Sequence, residues 1–504
     1  MRMRIFVGSV ALAGAVITVA QLNAGDDIRK TTGRSNTVAD SGGVAGVIGP
    51  DVIYTNMGSI SNYGPVGGIR AYSLGSHTCN IGDQNLLWLF DGTPGLAMNA
   101  YRLHDGLLMQ IGMSWVKHAC CAAAGSGCGM ACNGQGGNVL GVGCRDVYGS
   151  GYNAIQSNLG PRSGINAYSG AFSTIPGGSG DAIFRRLQVA ESDLSSTNYP
   201  GALYFAEGVY AATDDAQNAN WLNNASYKRV TISPSFVMSE AGSIYLTTPA
   251  IYAWRDHGNG VGIPDNTVQI VNADVPGEGR FIVGARAGDN GDGTWRYNYA
   301  VFNLNSHRSG GSFSLPVPSG VMVSNVGFHD VPYHSGEPYD NTDWTSTVGA
   351  TSVSWSSPQT YAENPDSNAL RWGTMYTFWF DADSPPTPAT VEIGLFRPGS
   401  PALVTANALG PTEPITNSPD LNGDGCVDSK DLTILLGAWC SAVNDPNPPS
   451  PPCENCTQAN LDLADIVGPF GGPPDGCVDS ADLTELLGEW CSVAGGNPCG
   501  TCPP

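Results

Sequence analysis

Residues 420–431 read Asp-Leu-Asn-Gly-Asp-Gly-Cys-Val-Asp-Ser-Lys-Asp, a spacing that suits an oxygen cage for a hard cation. Counted from Asp420, side-chain oxygens fall at the first, third, fifth, ninth and twelfth places: Asp420, Asn422, Asp424, Asp428 and Asp431, with Gly425 at the sixth. Ca2+ takes six to eight oxygens, and a twelve-residue loop supplies them by turning alternate side chains inward around a sharp glycine bend. The seventh ligand of such a loop is a backbone carbonyl, so Cys426 can stand there with its sulfur pointing elsewhere. Leu432, Leu435, Leu436 and Trp439 follow at the spacing of one helix face. Asp431, in the first turn of that helix, is both a ligand and a favourable charge.

The unit recurs. Gly476 to Thr484 repeats the pattern of Gly425 to Thr433, and Leu486, Leu487, Trp490 and Cys491 follow in register. Asp475, Asp479 and Asp482 keep their places, and Cys477 matches Cys426. The first and third places are Gly471 and Pro473, so this loop lacks two of its oxygens unless Asp462 or Asp465 folds back to complete it.

Elsewhere the chemistry-bearing residues are scattered. His329, Asp330, His334, Glu337, Asp340 and Asp343 fall close together, a mixture that can bind a transition metal or move protons, or simply line a polar loop. His118 beside Lys117 could act as a base or close a strand end. Glu207, Asp214 and Asp215 could include a glycosidase carboxylate, a role that separation in space decides. Asp289-Asn290-Gly291-Asp292-Gly293 reads as a turn before it reads as a cation loop. Nucleophile-elbow, zinc-protease and phosphate-loop motifs do not occur.

The elements that must position these residues are short strands. The chain of 504 residues holds 67 Gly and 35 Pro, and only 13 % of it is charged. This composition excludes a coiled coil and suits strands joined by many tight turns. Tyr101–Leu103 and Leu107–Ile111 flank His104-Asp105-Gly106, a hairpin signal. Alternation marks half-buried strands at Ile183, Arg185, Leu187 and Val189, and again over 203–210. It recurs at Phe313, Leu315 and Val317, at Trp372 to Phe380, and at Val391, Ile393 and Leu395. The fold class expected is mainly β: an antiparallel β-sandwich-type body with disulfide-stapled loops, plus a small α-helical calcium-loop module.

Arg2 and Arg4 precede an apolar run from Ile5 to Ala20, too short to span a bilayer and of the form of an export signal. Six cysteines lie between Cys79 and Cys144 and eight between Cys426 and Cys502, even counts that suit disulfides within each region of an exported chain. The Cys128 to Cys132 spacing and the adjacent Cys120-Cys121 pair also fit zinc. The organisation expected is a signal peptide over 1–24, a Cys/Gly-rich β domain over 44–227, an antiparallel sandwich over 228–397, a proline-rich linker over 398–419 and the calcium module over 420–504. Net charge is −22, and beyond residue 400 fourteen acidic side chains face one basic residue, Lys430. Such a surface excludes nucleic acid and favours cations or basic partners. No stretch after the signal is long and apolar enough for a membrane span.

Residues 420–492 resemble a dockerin type I module: duplicated calcium loops, each followed by one helix, with Asp rather than Glu at the twelfth place. The resemblance implies Ca2+ held by Asp420, Asn422, Asp424, Cys426, Asp428 and Asp431, and by Asp475, Cys477, Asp479 and Asp482. It also implies a cohesin-like or cell-surface protein partner, read through Ser429, Lys430, Ser480 and Ala481. The tail departs from the family in its 51-residue period, its second loop and its eight cysteines. In those cysteines it also resembles the terminal repeats of exported planctomycete-type proteins. The stretch over 44–398, with Trp115-Val116-Lys117-His118 and Asn325 to Val331, resembles secreted proteins of such bacteria, which implies no activity. Two functions stay open. One is a secreted, calcium-binding, non-catalytic extracellular protein attached through its tail. The other is a polysaccharide-degrading enzyme that carries a dockerin.

Overall fold

The computed structural model describes residues 47–412 and, in the tail, residues 419, 421, 427, 429–439, 464, 466, 477–478 and 480–488. The described chain is mainly β and its paired strands are antiparallel. The signal-peptide assignment at 1–24 lies outside it.

The first unit is built on a ten-stranded sheet centred on Gly95–His104, which pairs with Leu203–Ala211 on one side and Leu107–Met113 on the other. The expected hairpin is present: Asp105 and Gly106 join its strands with φ of 48° and 69°, the positive pair that a two-residue turn of matching twist needs. Alternate side chains along Gly95–His104 feed two different cores. Leu96, Met98 and Ala100 enter one with Val52, Tyr54, Trp88 and Leu187. Ala97, Tyr101 and Leu103 enter the other. A strand covered on both faces loses the polar alternation of a surface strand, which is why this one reads as nearly continuous apolar sequence. Close packing fixes Gly208 on Leu203–Ala211, where an added Cβ would stand 2.8 Å from the Tyr54 ring.

The second core is shared with the next unit. Ile282, Ala300, Phe302, Trp372 and Met375 pack into it beside Ala97 and Tyr101. All but Trp372, which lies in the turn before Thr374–Ala382, come from a five-stranded sheet built around Gly279–Asp289, Trp295–Asn303 and Thr374–Ala382. The opposite face of that sheet sends Phe281, Val283, Tyr299 and Phe378 into a third core, joined there by Phe313, Leu315, Trp355, Val391 and Ile393 of another five-stranded sheet. The two sheets thus enclose one aromatic layer. Within it Tyr297 stacks on its cross-strand neighbour Phe380 with centroids 4.9 Å apart, and Phe313 lies 4.7 Å from Phe378. Such pairs add about 0.5–1.5 kcal/mol each beyond burial.

Three sequence expectations change. The boundary expected at 227 cuts the strand Ala225–Ile232, which pairs with Leu203–Ala211 and Met238–Tyr245, so the first unit runs on to at least Tyr245. The proline-rich linker expected over 398–419 contains Leu403–Pro411, which pairs with Pro386–Leu395 along its whole length. Its alternating Val404, Ala406 and Ala408 face the core, and prolines at the ends of an edge strand cost no ladder bond. Not all six N-terminal cysteines pair: Cys79–Cys128 and Cys132–Cys144 are bridged, while Cys120 and Cys121 are free. Among the described residues no helix is long and apolar enough to cross a membrane.

Candidate functional site

In the tail, the helices Ser429–Ala438 and Ser480–Gly488 begin where the two loops end. Leu435, Ala438 and Leu486 form a small core with Val427, Ala464, Ile466 and Val478, and Leu432, Leu483 and Trp439 pack at its rim. Leu436, expected on the buried face, is instead 55 % exposed, as is its counterpart Leu487 at 50 %. The repeats match in detail: Thr433 Oγ1 donates to the Ser429 carbonyl and Thr484 Oγ1 to the Ser480 carbonyl, both at 2.7 Å.

The twelfth-place aspartates, Asp431 and Asp482, are both wholly buried in the first turn of their helices. The Ile466 N–H donates to Asp482 Oδ1 at 2.5 Å. Cys477 is buried and disulfide-bonded, so its sulfur is occupied and only its carbonyl is left for an ion. Hard carboxylate oxygens brought inside at equivalent places of a repeat fit calcium, which is bound through oxygen. Asp420, Asn422, Asp424, Cys426, Asp428, Asp475 and Asp479 lie outside the described residues. Among the described residues no three His, Cys, Asp or Glu side chains come together as a metal cluster.

The candidate clusters of the body resolve into separate structural duties. His329 Nε2 lies 3.0 Å from the Gln110 carbonyl and His334 Nε2 lies 2.8 Å from the Met113 carbonyl, so the imidazoles pin the end of the strand Val323–His329 and the loop after it to the strand Leu107–Met113. Burial pushes His334 down to about 4, which keeps it neutral. Glu337 accepts the backbone N–H groups of Arg162 and Ser163, and Asp330 accepts from Asn368 Nδ2. Asp340 closes a turn on Thr342, and Asp343 is exposed. Asp289 and Asp292 likewise bond within their own hairpin, to the Gly291 N–H and to Thr294.

Glu207 lies fully buried and accepts from Tyr101 Oη at 2.6 Å, Asn99 Nδ2 at 2.9 Å and the Ala250 N–H at 2.7 Å. Asp215, also fully buried, accepts the Val52 N–H and Asn224 Nδ2. Asp214 accepts the Leu87 N–H. These carboxylates hold backbone together. His118 is buried too, its ring edge-on to Phe172 and Nδ1 3.1 Å from the Asp91 carbonyl. A shallow cleft of about 190 Å³ is lined by Arg102, His104, Asp105, Tyr199, Arg296 and Asn298 among others. Its arginines are paired with Asp193 and Asp381, and Asp105 is the sole carboxylate among its lining residues. The two acids of a glycosidase do not meet in this cleft.

Arg162 is the polar residue that sequence reasoning missed. Fully enclosed between the first two units, it donates to the carbonyls of Ser114, Met98 and Gly373 and to Asn99 Oδ1. No local pattern announces it, because its partners come from three distant segments.

No protein-family model and no curated protein matches the chain. Among solved structures it is similar to the serine-rich repeat adhesion glycoprotein Srr1 of Streptococcus agalactiae, at 6 % identity and a TM-score of 0.18, over 68 % of this chain and 88 % of that one. It is also similar to the exo-chitosanase CsxA of Amycolatopsis orientalis, at 11 % identity and a TM-score of 0.13, over 67 % of this chain but only 25 % of the chitosanase. At these TM-scores the likeness defines neither fold nor function.

Proposed function

We propose that this is an exported, extracellular or cell-surface protein whose tail is a dockerin-like, calcium-binding module that attaches it to a cohesin-like or cell-surface partner. The body is a non-catalytic β-sandwich-type scaffold that offers its surface to a polysaccharide. The observation that carries the reading is the burial of Asp431 and Asp482 at the same place of two matching loop–helix repeats. The four bridged body cysteines support an oxidising destination. Leu436 and Leu487, exposed at equivalent positions, support a docking face. In the body, support comes from carboxylates occupied with backbone rather than gathered in a cleft.

When bound, calcium would neutralise the loop carboxylates and fix the loops against their helices. Asp431 and Asp482 each end a loop and begin a helix, so the same side chains tie loop to core. Isothermal titration of the full-length protein with CaCl2 tests this. The expected result is calcium-dependent heat, and amide protection of both tail helices, that the double substitution Asp431→Asn, Asp482→Asn removes while body protection stays. Heat of binding unaffected by the double substitution would refute the assignment. Incubation of the same protein with common polysaccharides should give retention without released sugar; product release would replace this reading by the enzyme.

A further inference from the structure

The loop from Ala119 to Arg145 is tied down twice, by Cys79–Cys128 and by Cys132–Cys144, yet it leaves two sulfurs unbridged at its start. Cys120 is half-buried, Cys121 is exposed, and their Sγ atoms lie 3.4 Å apart. The surroundings of this pair are specific. Tyr148 Oη accepts the Cys121 N–H at 3.1 Å and donates to the Cys121 carbonyl at 2.6 Å, so one hydroxyl grips both ends of that residue. Trp88 Nε1 donates to the same Oη at 3.1 Å. Tyr152 stacks on Tyr148 with centroids 5.1 Å apart. Beneath them Lys117 Nζ sits 3.6 Å from the centre of the Tyr148 ring, in a side chain only 3 % exposed.

We propose that Cys120 and Cys121 are a dithiol–disulfide switch, closing to a vicinal disulfide that opens under milder reduction than the two bridges framing it. Two arguments support a separate, labile pair. Adjacent Cα atoms stand about 3.8 Å apart across a trans peptide, less than the roughly 4.4–6.8 Å of relaxed disulfides. A ring closed across that gap is strained, and strained, exposed disulfides are the readily reduced ones. The second argument is chemical. Burial lowers Lys117 to about 8, while Asp146 and the two cysteines oppose the shift, so the amine and the two sulfurs share one electrostatic environment.

The oxidant is a small-molecule disulfide such as oxidised glutathione. One cysteine thiolate attacks it, forming a mixed disulfide and releasing one thiolate. The neighbouring sulfur, deprotonated in turn, displaces the second. Two protons and two electrons leave the pair, one sulfur–sulfur bond forms and another breaks, and two molecules of reduced thiol result. Closure bends the peptide that Tyr148 holds, which transmits the change to the Trp88–Tyr148–Lys117 stack.

The test equilibrates the full-length protein in graded mixtures of reduced and oxidised glutathione, quenches with acid, alkylates and maps peptides by mass. In oxidising mixtures the expected 120–121 peptide is lighter by two hydrogens and refuses alkylation. Its half-reduction is expected at about tenfold less reducing conditions than that of Cys79–Cys128. Double alkylation of the pair even in the most oxidising mixtures would overturn the proposal, as would opening in step with the bridges. Tyr148→Phe keeps the ring and removes the grip, and is expected to move the half-reduction point several-fold with the bridges unmoved. An unmoved point would remove Tyr148 from the switch. Phenylarsine oxide supplies an independent measurement: the reduced pair should take up one equivalent, its oxygen leaving as water with both thiol protons. Uptake that survives Cys120→Ser would count against the pair.

Discussion

Replacing Asp51 by asparagine should flatten the acid side of the stability profile. Asp51 is 2 % exposed at the entry to the first strand of the body, where both carboxylate oxygens accept from Asn223 Nδ2 at 3.1 Å. Burial disfavours a charge on Asp51 and on Asp215, and the Asp51 carboxyl raises Asp215 further. Burial, opposed by the Asn223 bond, moves Asp51 from 3.8 to about 7. Between those two values the folded chain keeps a proton that the unfolded chain has released. Stability contributed by this group is therefore present below about pH 4, falls as pH rises to about 7, and is flat beyond. At about 1.4 kcal/mol per pH unit the fall totals roughly 4 kcal/mol. Asparagine carries no titrating proton, so Asp51→Asn should gain about that much on the wild type between pH 4 and pH 7.5, whatever constant offset its altered hydrogen bonds add. Urea unfolding of both proteins across this range, disulfides intact, measures the difference. Profiles that stay parallel would show that Asp51 ionises normally and that the buried-pair argument is wrong.

Arg162→Met should destabilise the body by about 3–5 kcal/mol, because it strands buried acceptors on Ser114, Met98 and Gly373; an unfolding free energy, from urea titration, lowered by less than a fifth of that would contradict the role given to the guanidinium. In the tail, Asp424→Ala should abolish the tighter calcium event seen by calorimetry while Asp475→Ala costs much less, since loop one has more anionic oxygens; equal losses would mean that upstream aspartates complete loop two. Gly327→Ala should cost about 1–3 kcal/mol and loosen the edge strand Val323–His329, since the added Cβ would meet the ring of the cross-strand Trp379. Hydrogen exchange of that strand checks it, and unchanged protection would show that the ring can swing away.

What the sequence determined by itself was whatever lies close along the chain. The hairpin at Asp105-Gly106, the inward alternation of Phe313 and Leu315 or of Tyr376, Phe378 and Phe380, and the helices after each Asp-rich loop are set by turn chemistry and by periods of two and 3.6 residues. Local pattern also misled where context overrode it. Prolines near 398–411 read as a linker, although an edge strand tolerates them at its ends. The even cysteine count suited three bridges, whereas two are formed and Cys120 and Cys121 stay unbridged with their sulfurs 3.4 Å apart.

The tertiary structure alone decided which polar residues are interior. Glu207, Asp215, His334 and Arg162 look like site residues in a list of types, yet each ends up desolvated and bonded to backbone brought from elsewhere. A charge buried without partners is too costly to keep, so the fold assembles partners around it from segments up to hundreds of residues away. That assembly has no local signature. The same holds for the surroundings of Cys121, where Trp88, Lys117, Tyr148 and Tyr152 meet only because the fold brings three short segments to one place.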